Sequence, residues 1–187
     1  MIQYLIVCPL VFVAGLVDSI AGGGGLIALP AYLIAGVPAH MALGTNKMSS
    51  AMGTVVSTAR FARNGYLRGK MLMAACSAAA ALIGSALGAH LALMVSEEII
   101  KHMMIVVLPI VAFYVLRNKD MGENEKTGTI PQVKVFAICI AAAFFIGGYD
   151  GFYGPGTGTF LILILTGAAR LDTRSASAQT KVINLSS

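Results

Sequence analysis

Tryptophan is absent from this chain of 187 residues, cysteine occurs three times, and charged side chains make up only 11% of it. A soluble domain carries about a quarter charged residues, so the chain has less than half the charge that an aqueous surface normally needs. Disorder and an ordinary soluble enzyme are both excluded on that ground. Cys8, Cys76 and Cys139 stand singly inside apolar runs, with no Cys-x-x-Cys or Cys/His ligand spacing. That pattern excludes a disulfide-stapled secreted domain and gives no zinc site; the three thiols read as buried small hydrophobes. His40, His90 and His102 are likewise scattered, so neither a metal nor a cofactor is expected. No Lys or Arg precedes Lys47, and a signal peptide needs a positive start. Met1–Val17 therefore reads as a first span with its N-terminus outside.

What the chain does have is apolar length. Hydrophobic residues make up 57% of it, with 21 glycines and a mean hydropathy of +0.82. Its thirteen Lys or Arg and eight Asp or Glu collect mostly in Arg60–Lys70 and Arg117–Lys134. Between those stretches run segments long enough for a hydrocarbon core of about 30 Å, which takes roughly 20 helical residues. The net charge of +5 sits in loops flanking apolar spans. That is the positive-inside pattern of a membrane protein rather than a nucleic-acid surface.

Along the chain, the first span runs into Asp18 and the glycines Gly22–Gly25, and a short apolar piece, Leu26–Gly36, follows. Met41–Phe61 is interrupted by Thr45-Asn46-Lys47 and Ser49-Ser50. Met71–Val95 is a full span with Gly84-x-x-x-Gly88, a spacing that lets helices approach closely in lipid. Ser96-Glu97-Glu98 turns the chain, with two acids placed well for the N-terminus of a returning span, Ile99–Leu116. Arg117–Gln132 is the one linker. Val133–Ile146 then leads into Gly147–Phe160, rich in glycine, a short piece Leu161–Ala169, and a last segment, Ser175–Ser187.

This order repeats. One constant offset aligns Asp18 with Asp150, Gly15 with Gly147, Gly22 with Gly154, Gly24 with Gly156 and Ala28 with Phe160. With two residues inserted, Thr45-Asn46-Lys47 meets Gln179-Thr180-Lys181. The chain reads as an internal duplication, 1–131 being the first transmembrane repeat and 132–187 the start of a second. The second copy lacks the two long spans that follow Lys47 in the first, so a truncated product is expected. Counting five segments per repeat inverts the second copy; counting four leaves the copies parallel. The inverted arrangement is the preferred one.

Four charges fall inside apolar segments: Asp18, Lys47, Asp150 and Lys181. Each costs about 2.5–3.5 kcal/mol at mid-membrane before pairing, and their recurrence in both copies favours a shared polar cavity over chance snorkelling. Corresponding glycine-interrupted segments in two halves point to a transporter's binding site. Backbone broken at glycine presents N–H groups at the next helix N-terminus, where the dipole also favours an anion. The candidate substrate-binding set is Gly22, Gly23, Gly24, Gly25, Thr45, Asn46, Lys47, Gly154, Gly156, Thr157, Gly158, Gln179, Thr180, Lys181 and Asn184. Asp18 and Asp150 are candidate proton-coupling or gating groups, since desolvation raises a carboxyl pKa. No Walker spacing accompanies the glycines, so a nucleotide loop is not indicated. An aspartyl protease dyad is a remote alternative, because no Gly-x-Gly-Asp precedes either carboxylate.

Asp18-Ser19-Ile20-Ala21-Gly22-Gly23-Gly24-Gly25-Leu26, Leu29-Pro30 and Ala42-Leu43-Gly44-Thr45-Asn46-Lys47 resemble the first signature of the sulfite exporter TauE/SafE family of membrane permeases. Gly148–Gly158 resembles its second signature, and Ala176-Ser177-Ala178-Gln179-Thr180-Lys181 with Asn184 its continuation. The resemblance implies a multi-pass protein of the inner (plasma) membrane that moves sulfite, sulfonates or related organic anions.

The expectation is thus an all-α fold, a polytopic transmembrane helical bundle with an internal repeat and broken, glycine-interrupted helices. Its expected role is that of a non-enzymatic secondary transporter for small anions, with proton coupling as the expected drive. A passive anion channel or a membrane scaffold is the alternative. The expected partners are a small anionic substrate and the lipid bilayer, with no nucleic acid; a homo-oligomer is left open.

Overall fold

The computed structural model describes residues 2–21, 23–117 and 130–187. They form eight helices: α1 (Ile2–Ala21), α2 (Gly25–Ile34), α3 (Ala39–Arg63), α4 (Met71–Met94), α5 (Glu97–Arg117), α6 (Gln132–Phe152), α7 (Thr157–Gly167) and α8 (Thr173–Ser186). There is no strand among the described residues, and the fold is an all-helical membrane bundle. Most of the expected linker, 118–129, lies outside the described residues.

At 24 and 21 residues, α4 and α6 are long and apolar enough to cross a membrane, at about 1.5 Å of rise per residue. Neither is a buried core helix: Leu82, Ile83, Leu87, Leu91 and Phe145 all stand exposed on their outer faces. Apolar side chains turned outward are stable when the solvent is hydrocarbon. The same reason corrects the reading of the cysteines. Cys139 is buried, but Cys76 is only half-buried and Cys8 is exposed, because a thiol facing lipid needs no protein cover.

The inner faces of α4 and α6 meet backbone to backbone. A methyl group on Gly88 would press on the Gly148 carbonyl and come within 2.8 Å of the Phe152 nitrogen, and one on Gly147 would sit 2.9 Å from the Ala81 backbone. Gly84 and Gly151 close equally tightly on Phe144 and Ser85. Dispersion over so close an approach is the main attraction available to helices in lipid. This packing explains why α6 runs on through Gly147, Gly148, Asp150 and Gly151 rather than stopping near Ile146. Tertiary contact outweighs the low helix propensity of glycine there.

The contacts also set directions. Residues 81, 84, 85 and 88 of α4 meet 147, 148, 151 and 152 of α6 in ascending order, so the two run parallel. The Lys70 ammonium, at the start of α4, donates to Ser175 Oγ at 2.7 Å and lies 3.7 Å from the Asp172 carboxylate at the start of α8. Ser85, farther along α4, reaches the Ser187 carbonyl, so α8 is parallel to α4. Helix α3 runs the other way. Lys47 meets Ser187, while Thr58 Oγ1 donates to the Lys181 carbonyl at 3.2 Å. Helices α3 and α8, each of which follows a long helix and a short one, are therefore antiparallel. At the far end, Glu97 Oε1 accepts the Ala39 amide at 3.1 Å, tying the start of α5 to the start of α3.

Candidate functional site

Each short helix begins at a turn braced by the aspartate before it, but the two turns need glycine for different reasons. In the first, Gly24 has ordinary right-handed geometry (φ −57°). Here a Cβ would collide with the Ala14 carbonyl and come within 2.6 Å of Asp18 Cβ. In the second, Gly156 sits at φ +84°, a left-handed conformation that L side chains rarely adopt.

The Gly24 amide donates to Asp18 Oδ1 at 3.1 Å. The amides of Leu26, Ile27 and Ala28 are taken by the Gly23 and Gly24 carbonyls. The start of α2 is thus largely self-satisfied. At the start of α7, Thr157 Oγ1 lies 2.8 Å from Asp150 Oδ1, and the Tyr149 hydroxyl donates to the Pro155 carbonyl at 2.7 Å. The amides of Gly158 and Thr159, both buried, have no acceptor among the described residues. The second turn presents two adjacent open donors of the kind that hold an anion at a helix N-terminus, and the first presents one, the Gly25 amide, which also has no acceptor among the described residues.

The two turns meet. A small cavity of about 30 Å³ is walled by Gly154–Gly158 of the second turn, by Asp18, Gly25, Asn46 and Ser50 around the first, and by Asn184 of α8. Asn184 Oδ1 is buried without a partner. A larger cavity of about 140 Å³ shares Asp18, Gly25, Asn46 and Ser50 as a common wall. It continues along α3 past Ser49, Gly53, Thr54 and Ser57 to Lys181. A buried water takes roughly 10–15 Å³ by such a measure. The inner pocket thus holds about two waters and the vestibule about ten, so a small oxyanion fits only the vestibule in this conformation.

Two of the four membrane charges pair with each other. Lys47 of α3 forms an ion pair with Asp150 of α6, which also accepts the Ser187 hydroxyl. The corresponding pair is not made. Among the described residues, Asp18 accepts only the Gly24 amide and a long contact from Ser50 at 3.4 Å. Lys181 lines the vestibule, and its ammonium has no acceptor among the described residues. One pair is closed, and the other is replaced by a polar chamber.

Of the residues expected from the sequence, the two cavities gather Asp18, Gly24, Gly25, Asn46, Gly154, Gly156, Thr157, Gly158, Lys181 and Asn184. Lys47 and Asp150 are brought to each other. Gly23 is buried outside both cavity walls and Thr45 is exposed. Gln179 and Thr180 are buried away from the cavities with side-chain atoms unpartnered. Gly22 lies outside the described residues. The hydroxyl stripe Ser50, Thr54 and Ser57 was not anticipated. Its signal was there in its spacing from Asn46, which at 3.6 residues per turn puts these side chains on one face.

Two glycine-broken helices that meet inside a bundle with a lipid-facing apolar surface define a helical membrane protein of the transporter type. Residues 7–187 match the model of the sulfite exporter TauE/SafE family, and the chain belongs to that family. It is 39% identical over 178 residues to the "Probable membrane transporter protein ORF9" of Sinorhizobium sp, covering 94% of this chain and 66% of that protein. It is 33% identical over 176 residues to a "Probable membrane transporter protein" of Haemophilus influenzae, covering 94% and 67%. It is 30% identical over 192 residues to the "Probable membrane transporter protein YfcA" of Escherichia coli, covering 100% and 69%. The chain thus spans about two thirds of the length of these relatives. No solved structure matches it significantly.

Proposed function

We propose that the chain forms the substrate-handling part of a secondary transporter for small anions such as sulfite, sulfonates or related organic anions. It would be embedded as a multi-pass protein in the inner (plasma) membrane, with Arg60–Lys70 and Arg117–Lys134 on the cytoplasmic side. The reading rests chiefly on one observation. Lys181, whose ammonium has no acceptor among the described residues, lines the vestibule, and Gly158, whose amide is open, lines the inner pocket that shares a wall with it. An unpaired cation and oriented N–H groups in a place screened from lipid attract negative charge. In this scheme the anion enters beside Lys181 among the hydroxyls of α3, and passes Asp18 and Asn46 to the N-terminus of α7 when the inner pocket widens. Proton coupling, where it operates, falls to Asp18, because Asp150 is held by Lys47, Thr157 and Ser187.

Counterflow in proteoliposomes tests the reading. A carrier accumulates labelled sulfite transiently against an opposing gradient of unlabelled anion, and Lys181→Gln abolishes that accumulation. Flux without counterflow indicates a channel. Counterflow unchanged in Lys181→Gln removes the lysine from the path.

A further inference from the structure

The vestibule holds two charged groups of opposite sign, and that constrains what it accepts beyond the anion reading on which this inference rests. Asp18 is the only carboxylate and Lys181 the only cation among its walls; every other polar wall is a hydroxyl, an amide or backbone. No other titratable side chain faces Asp18 from α2 or α3, and Lys47 of α3 is closed on Asp150. A carboxylate offers about four acceptor sites, of which the Gly24 amide and Ser50 hydroxyl take two. Asp18 lines both cavities that an anion would enter. An anion composed only of acceptors meets repulsion there. One that also carries a hydrogen-bond donor turns the same carboxylate into a partner, while its charged oxygens face Lys181 and the hydroxyls of Ser49 and Ser57.

We propose that the Asp18–Lys181 vestibule selects small anions that carry a hydrogen-bond donor, namely monoprotonated oxyanions or hydroxy-substituted sulfonates, and that Asp18 reads the donor. Nothing is transferred covalently: the ligand O–H donates to Asp18 and leaves with the ligand. A site that hydrogen-bonds a substrate hydroxyl discriminates strongly against the analogue lacking it.

Ethanesulfonate and 2-hydroxyethanesulfonate separate donor from charge, because both sulfonates stay fully ionised at working pH. Binding of each is measured by calorimetry on the whole chain in lipid nanodiscs. The hydroxylated sulfonate binds at least about tenfold tighter, the increment of one hydrogen bond to a charged group. Asp18→Asn shrinks that gap by weakening the hydroxylated ligand alone, whereas Lys181→Gln weakens both. Equal binding of the two by the unmodified chain overturns the proposal and leaves the anion reading standing. So does a gap that survives Asp18→Asn in a folded variant. Binding of neither sulfonate overturns both.

Discussion

Replacing Lys47 by glutamine strands Asp150. The carboxylate side chain is only 7% exposed, whereas that of Lys47 is 34% exposed, so the two single substitutions are unequal. Removing one partner of a buried pair costs about 3–5 kcal/mol. Because Thr157 and Ser187 still donate to the stranded carboxylate, Lys47→Gln falls at the lower end, about 3 kcal/mol. Asp150→Asn leaves an ammonium that still reaches solvent and costs roughly 1–2 kcal/mol, by the weaker penalty for a partly exposed pair. The double variant Lys47→Gln/Asp150→Asn leaves no uncompensated charge and recovers to within about 1 kcal/mol of the parent. Reversible unfolding in mixed detergent, followed by circular dichroism, gives the three values. Counterflow on the same preparations separates structure from transport: a double variant that regains both stability and sulfite flux assigns the pair a structural role. Additive losses, with the double variant the least stable of the set, would refute the inter-repeat ion pair itself.

Two further outcomes follow from the packing and the loops. Gly88→Ala forces α4 and α6 apart and costs about 1–3 kcal/mol, while Gly148→Ala, whose added carbon meets the Gly84 carbonyl at an ordinary 3.5 Å, is nearly neutral in the same unfolding assay. At the loop before α8, burial pushes the Asp172 carboxyl up, but the hydrogen bonds from Ser175 and the nearby Lys70 ammonium outweigh it and hold the group below its usual 3.8. Its stabilisation is therefore complete above that value and is lost as pH falls through the depressed one. Asp172→Asn removes this part of the acid-side decline in thermal stability. The effect is small, because the side chain is 51% exposed.

The broken helices were legible because glycine clusters beside an aspartate occur twice, and the span α4 because its composition admits little else. The extent of α6 was not, since Gly147, Gly148 and Gly151 look like a helix end until α4 is packed against them. The polar run Thr45–Ser50 breaks the hydropathy of α3 but not the helix: Asn46 and Ser50 face the cavities, so the backbone stays regular while the side chains find polar surroundings. At the site, the sequence showed four matched charges but not their partners. The matched spacing gives each lysine an equivalent, and only three-dimensional interlocking sends Lys47 to Asp150 and puts Lys181 in the wall of a chamber. The inequality of the two turns was also hidden, because a left-handed residue and a steric exclusion are both written as glycine.

The seam between α4 and α6 limits how such a molecule can move. Their main chains interlock too tightly to slide without climbing over one another's carbonyls. Any rearrangement that keeps this seam intact carries α4 and α6 as one body, so opening the inner pocket would fall to the short arms, α2 and α7, swinging on their glycine elbows.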